Sequence, residues 1–333
     1  MEKIVAETGT VLSAKAVDHT MTCVMFAHRD VDYFAPKLRA AFPMLNVLTA
    51  MDLPEGDDRI AEADVIVANG HMFNDARLGK AGKLKWIQAM TTGTDAIVGT
   101  RALRPEVVVT TMRGIHGPQM SEMAFMFMLN LARNYPRMLD NQRRHVWQRW
   151  TQTRLCGKTV TIVGVGVVAE SLAPRCKAFG MTVLGVTRTP RAADGFDRLF
   201  GYAQLAQAAA AADFLVLLAP YSPDTEGLID ARVLAAMQPR AFLINLSRGG
   251  LCDEDALLDA LRSKRIAGAG LDVFRVEPLP PASPFWDLEN VAITAHCSGS
   301  SDDNLALMWP IVETNMRCFL ENRWSEMINR VPH

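Results

Sequence analysis

Thr159-Val160-Thr161-Ile162-Val163-Gly164-Val165-Gly166-Val167-Val168-Ala169 is the stretch that decides how this chain folds. Its first five residues are all β-branched and favour a strand. Two glycines then break the strand, and Val167–Phe179 continues with helical spacing. A strand, a glycine turn and a helix in that order build a phosphate cradle. The first glycine permits the tight turn, the second lets backbone approach a pyrophosphate, and a small third residue, Ala169, lets helix and strand pack closely. An anion held there meets free amides and the positive end of the helix dipole. Gly164, Gly166, Val167 and Val168 are therefore the candidate dinucleotide contacts.

The pattern repeats in both directions. Downstream the sequence predicts strands at Thr182–Thr187, Phe214–Leu218, Ala241–Leu246, Ile266–Asp272 and Val291–Thr294, with helices at Leu205–Ala211 and Glu254–Arg262. Upstream it predicts strands at Thr22–Ala27, Asn46–Thr49, Asp64–Ala68, Leu84–Gln88 and Val107–Thr110, with helices at Asp32–Ala41 and Asn74–Ala81. Alternation of this kind implies the α/β class: two doubly wound parallel-sheet domains, Rossmann-like or flavodoxin-like, with a cleft between them. A long amphipathic stretch, Pro118 to Trp150, crosses from one to the other, and Pro136 within it should kink or split the helix. A last helix, Asp302–Leu320, is expected to fold back over the first domain.

Composition narrows the function classes. A formal net charge of −1 over 333 residues leaves no basic stripe for nucleic acid or an anionic membrane. The longest mostly apolar run, around Met123–Ala132, falls short of the ~20 residues a membrane span needs. Met1–Thr20 mixes charged and apolar residues and carries no leader core, so the expected location is the cytoplasm. Six cysteines stand without a CxxC pair, which points to reduced thiols and to no metal site.

Three charged residues follow predicted strands: Arg248 in Ser247-Arg248-Gly249-Gly250, Glu277, and His296. Ligands of open parallel sheets bind outside the carboxyl ends of strands. A cation there holds an anion, an imidazole moves a proton, and a carboxylate orients the imidazole and stabilises its charged form. The strand ending Thr187-Arg188-Thr189-Pro190-Arg191 lacks the acidic residue that would bind a ribose 2′-hydroxyl. A hydroxyl flanked by arginines suits a 2′-phosphate, so NADP(H) is the preferred cofactor. NAD(H) is also accommodated if Arg188 stacks on the adenine.

Taken together, the chain resembles the D-isomer-specific 2-hydroxyacid dehydrogenases, the family of glyoxylate/hydroxypyruvate reductases. Four segments carry the likeness: Lys83-Leu84-Lys85-Trp86-Ile87-Gln88 through Gly93-Thr94-Asp95, the Gly164 turn, Asn245-Leu246-Ser247-Arg248-Gly249-Gly250, and Gly270-Leu271-Asp272-Val273-Phe274 through Glu277-Pro278 to Thr294-Ala295-His296. The resemblance implies that Arg248 binds the carboxylate and keto oxygen of a small 2-keto acid. It implies His296 as acid/base with Glu277 as its partner, Asp272 near the nicotinamide carboxamide, and backbone amides at Thr92 and Gly93 on the substrate carboxylate. It also implies a discontinuous substrate domain (residues 1–113 plus 298–333), a cofactor domain (114–297) and a homodimer. Ala295 stands where the family typically has proline, Cys297-Ser298-Gly299 is an unusual continuation, and Glu277 rather than Gln speaks against formate. The rival reading is a cofactor-sensing, corepressor-like binding protein with little turnover. His28, His71, His116 and His145 read as structural residues, with lining of the cleft as the alternative for His71 and His116, each of which lies in a loop following a predicted strand. The loops Asn69–Phe73 and Met90–Gly93 should line the cleft, and Trp309 either closes the pocket or packs in the core.

Overall fold

The computed structural model describes residues 21–53 and 57–333. Met1–Thr20, where a leader core was sought, lies outside the described residues. The chain opens with β1 (Cys23–Ala27), α1 (Val31–Ala41), β2 (Asn46–Ala50), β3 (Val65–Ala68), α2 (Asp75–Lys80), β4 (Trp86–Ala89), α3 (Asp95–Val98) and β5 (Val108–Thr110). It crosses through α4 (Gly117–Arg133) and α5 (Tyr135–Arg143). Next come β6 (Thr159–Val163), α6 (Val167–Ala178), β7 (Thr182–Thr187), β8 (Arg198–Gly201), α7 (Leu205–Ala211) and β9 (Phe214–Leu217). They are followed by α8 (Ala231–Ala236), β10 (Phe242–Asn245), α9 (Glu254–Arg262), β11 (Gly268–Leu271) and β12 (Val291–Ile293). The return runs through α10 (Asn304–Leu320) to β13 (Arg330–Val331).

Two sheets result, each the centre of an α/β domain. The first runs β13-β5-β4-β3-β1-β2, parallel except for β13, which pairs antiparallel with β5. The second runs β12-β11-β10-β9-β6-β7-β8 and is parallel throughout. Strand order reverses between β1 and β3 in one sheet and between β6 and β9 in the other. Crevices open at the carboxyl ends of strands at such points. Inner strands β1, β3, β4, β9 and β11 are buried at every residue. That accounts for their continuous apolar runs, because parallel sheets are covered on both faces.

The crossing helix splits one residue before Tyr135-Pro136. Asn134 adopts a left-handed conformation (φ 52°), its N–H closing α4 on Asn130 O and Leu131 O, and Pro136 falls in the first turn of α5. Proline is tolerated there because that turn's N–H has no intrahelical acceptor. The helix stops at Arg143 instead of reaching Trp150: Arg144 closes it on Asp140 O and His145 turns left-handed (φ 55°), which a continuing helix does not allow. Four elements lack a counterpart in the sequence reading: α3, β8, α8 and β13. They hold 4, 4, 6 and 2 residues, too few for propensity or periodicity to sum to a signal.

The returning helix α10 does fold onto the first sheet. Met308, Ile311, Val312, Met316 and Phe319 join a core with Val24, Phe26, Phe34 and Trp86, and Trp309 packs at its edge. The Phe319 and Trp86 rings stack with centroids 5.6 Å apart. Within this core a buried polar chain ties α10 to the sheet. Asn315 Nδ2 donates to Gln88 Oε1 (2.9 Å) and to Ile328 O (3.1 Å), and Asn315 Oδ1 accepts from Ile328 N (2.8 Å). Gln88 Oε1 also accepts from Thr110 Oγ1 (2.8 Å), which in turn accepts from Trp86 Nε1 (2.8 Å). Replacing Asn315 by Leu strands the Ile328 amide, so unfolding free energy should fall by about 2 kcal/mol. Urea melts should show a lower midpoint at unchanged slope; an unshifted midpoint contradicts the assignment.

Candidate active site

Gly164 follows β6 with φ at +100°, and a Cβ on it would lie 2.3 Å from Ala219 N beyond β9. Only glycine makes this turn. At Gly166 a Cβ would meet no atom within 4 Å, so the backbone faces open space. Gly166 is also the N-cap of α6 and offers no side-chain cap to the amides of the first turn, those of Val167 and Val168 among them. Free amides beside an open backbone fit the pyrophosphate of a nicotinamide dinucleotide.

At the end of β7, Thr187 is half-buried and Arg188 exposed. Arg188 pairs with Asp224, which follows β9. Arg191, three residues on, lines a depression at the β8 edge of the sheet with Pro190, Phe196, Arg198 and Leu199.

The turn carrying Arg248 is shaped by Asn245, the last residue of β10. Asn245 Nδ2 donates to Arg248 O (2.9 Å) and its Oδ1 accepts from Ser247 N (3.1 Å). Ser247 Oγ donates to Ala219 O, tying the turn to the loop after β9. The guanidinium then points at the first domain: Nε donates to Asp95 Oδ2 (3.0 Å) and Nη1 to Ser247 O (2.8 Å). Nη2 lies so close to Gly93 that a Cβ there would sit 1.7 Å from it. Asp95 as the anchor of Arg248 was not anticipated, although it stands two residues after Gly93 in a segment singled out above.

His296 Nδ1 and Glu277 Oε2 are 2.6 Å apart, and Glu277 Oε1 accepts from Phe274 N (2.9 Å). The Phe274–Arg275 peptide abuts Gly249, where a Cβ would come within 2.0 Å of Phe274 C. Arg248, Glu277 and His296 are thereby joined through contiguous backbone. His296 itself is left-handed (φ 48°), its N–H donating to Asp272 O (2.8 Å). The Asp272 carboxylate is buried. Its Oδ1 accepts from Thr294 Oγ1 (2.5 Å) and Cys297 N (2.9 Å), and its Oδ2 from Ser298 N (3.0 Å). Placed near the nicotinamide by resemblance, this carboxylate makes its hydrogen bonds to the 294–298 loop that carries His296.

On the facing wall, Gly70 N donates to Thr91 Oγ1 (3.1 Å), which donates to Gly93 O (2.9 Å), so the two first-domain loops are tied together. His71 is exposed, whereas Met72 and Phe73 turn into the core and do not line the cleft. Thr92 Oγ1 lies 3.0 Å from His116 Nδ1, and His116 packs against Gly299. Burial pushes the His116 imidazole below its ordinary value. His116, read as structural from sequence, thus stands where both crossings between the domains meet. Among the described residues no cluster of three or more His, Cys, Asp or Glu is placed to hold a metal ion, and the six cysteines are free thiols.

Burial pushes the Asp272 carboxyl up, but its hydrogen bonds outweigh this and hold it below the usual carboxylate range. A depressed folded value stabilises the native state above the unfolded pKa, and that stability is lost as pH falls through the folded one. Asp272→Asn should lower Tm at pH 7, and the gap from wild type should close below about pH 4. A gap independent of pH would show that the charge is not what holds the loop.

The D-isomer specific 2-hydroxyacid dehydrogenase, NAD binding domain model matches residues 125–298. The chain is 33% identical to the glyoxylate/hydroxypyruvate reductase A of Serratia proteamaculans over 72% of its own length and 78% of that protein's. It is 30% identical to the D-3-phosphoglycerate dehydrogenase of Methanocaldococcus jannaschii, matching 87% of this chain but spanning only 56% of that longer protein. Among solved structures it is similar to an NADPH-dependent glyoxylate/hydroxypyruvate reductase of Sinorhizobium meliloti, in complex with NADP and sulfate. That match has a TM-score of 0.80 at 28% identity and covers 93% of this chain and 98% of the other. With its two α/β domains, its phosphate cradle and these matches, the chain belongs to the D-isomer specific 2-hydroxyacid dehydrogenase family.

Proposed function

We propose that this protein reduces a small 2-keto acid of the glyoxylate/hydroxypyruvate type to the D-2-hydroxy acid, or runs the reverse reaction. The observation that carries the reading is the His296–Glu277 pair at 2.6 Å, joined through the Phe274 peptide to an arginine whose guanidinium lies on Gly93. Residues 1–113 and 298–333 supply the substrate wall and 114–297 the cofactor wall, in a cytoplasmic homodimer.

Arg248 binds the substrate carboxylate and polarises the keto oxygen with the donors that Asp95 and Ser247 leave free, helped by the amides at Thr92 and Gly93. Glu277 engages Nδ1 of His296, which leaves Nε2 as the atom that gives its proton to the developing alkoxide. A hydride for C2 is what the reduced nicotinamide supplies when bound. Hydride at carbon and proton at oxygen complete the alcohol, and His296 recovers its proton from solvent. Thr187 and Arg188 at the end of β7 support NADP(H) as the preferred cofactor with NAD(H) also accepted. The NADPH dependence of the Sinorhizobium meliloti enzyme supports the same preference. Neither Asn69–Asn74 nor Met90–Asp95 contains a Lys or Arg, and Asp95 adds a negative charge. This favours a small uncharged substituent over a phosphorylated one.

Oxidation of NADPH should be fastest with glyoxylate or hydroxypyruvate and slower with pyruvate and phenylpyruvate. No turnover with any of the four overturns the proposal. His296→Ala should lower kcat by about 10²–10⁴-fold with cofactor affinity retained. Arg248→Lys should be similarly damaging, because a point charge lacks the planar fork.

Gly93→Ala should fold normally but push the Arg248 guanidinium aside, lowering kcat/KM for the keto acid by about 10²-fold. Wild-type kinetics in this variant would separate Arg248 from the substrate.

A further inference from the structure

At the adenosine end of the cofactor cleft, strand β7 ends in Thr187-Arg188 without the acidic residue that would favour a free ribose hydroxyl. The fold supplies a carboxylate there from another strand. Asp224 lies 36 residues further on, beyond β9, and pairs with Arg188 Nη2. Its position is fixed by a tight turn built on a buried neighbour. Thr225 Oγ1 accepts from Ser222 N (2.8 Å) and donates to Pro220 O (2.7 Å), which leaves Asp224 facing outward. Tyr202, after β8, stands close enough that its phenol feels both charges. Three loops at the carboxyl ends of β7, β8 and β9 therefore meet around one cation–carboxylate pair.

The pair is open to solvent, with side chains 67% and 64% exposed, so it contributes little to stability. Its consequence is for ligands. A 2′-phosphate carries close to two negative charges and seeks the planar fork of Arg188. To reach it, the phosphate must displace Asp224 or bind beside a like charge. A 2′-hydroxyl carries no charge and meets no such opposition.

We propose that Asp224 is the specificity-determining residue for the cofactor: it opposes the 2′-phosphate through Arg188 and keeps the site open to both NADPH and NADH. The proposal rests on the nicotinamide-dependent reading above, and its test does not need turnover. Adenosine 2′,5′-bisphosphate and ADP are the probes, titrated calorimetrically into wild type, Asp224→Asn, Asp224→Ser, Arg188→Ala and the Arg188→Ala/Asp224→Asn double variant. Either change at Asp224 should tighten the 2′,5′-bisphosphate about five- to tenfold, as expected for releasing the Arg188 fork from one competing carboxylate in a solvated site. ADP should change by less than about twofold on the same electrostatic argument. On the Arg188→Ala background the gain should vanish.

Equal gains for both probes, a gain that survives without Arg188, or no gain in either Asp224 variant each overturn the assignment. Melting temperatures equal to wild type verify that these surface variants are folded. If the bisphosphate behaves as expected while no keto acid is turned over, the assignment of Asp224 stands and the catalytic reading falls.

Discussion

The carboxylate of Asp272 is the constraint on which the end of the cleft that holds His296 and Glu277 depends. A charge buried at the end of β11 is costly unless every lone pair finds a donor. Here the donors are two hydroxyls and two amides from 294–298, and the loop presents them by wrapping around the carboxylate. Wrapping puts His296 into the left-handed region, a conformation non-glycine residues hold only where their surroundings impose it. The imidazole then emerges at a fixed angle beside Glu277. The placement of the exposed His296–Glu277 pair thus comes from a buried charge. The departures from the family pattern at Ala295 and at Cys297-Ser298-Gly299 fall inside this wrapped loop. They are compatible with it because Asp272 recruits Cys297 through its backbone N–H, which any non-proline residue provides, and Ser298 through both its N–H and its hydroxyl.

Convergence between the two walls has a different origin. Each sheet opens a crevice where its strand order reverses, and the connections through α4 and the 297–303 segment set the two crevices face to face. One ion pair, Arg248–Asp95, spans the gap, and it is partly exposed on both sides. Pairs of this kind are weak in energy but specific in direction. Asp95 need not glue the domains together to matter. It fixes the roll of the guanidinium, so the face of the fork turned toward Gly93 is already oriented before an anion arrives.

What could be read from residues alone divides along a physical line. The Gly164–Ala169 turn was legible because each position answers a local demand: a positive φ, an open backbone, a small side chain. That Arg248, Glu277 and His296 come together was legible because strands are visible as apolar runs and all three residues follow the carboxyl ends of strands in one sheet. The partners that aim them were not. Asp95 meets Arg248 across 153 positions of chain, and Asp224 meets Arg188 across 36. Side chains from loops of different strands share no periodicity, so nothing in the order of residues announces their meeting. Asp272 illustrates the same limit. Its place at a strand end was evident, but its hydrogen bonds depend on how the chain returns 22–26 residues later.

The tie between Asn315 and Gln88 has a bearing on the order in which the molecule can be made. The first sheet begins at Cys23, yet its core is closed by α10 and its edge by β13, more than two hundred residues downstream. The second sheet, by contrast, contains every one of its own strands between Thr159 and Ile293. During synthesis it can therefore close while the earlier sheet still exposes the apolar face that α10 will cover. Of the two sheets, the one translated earlier is the later to be finished. Until Asn315 arrives, a nascent chain carries an unsealed hydrophobic surface around Trp86 and Phe34.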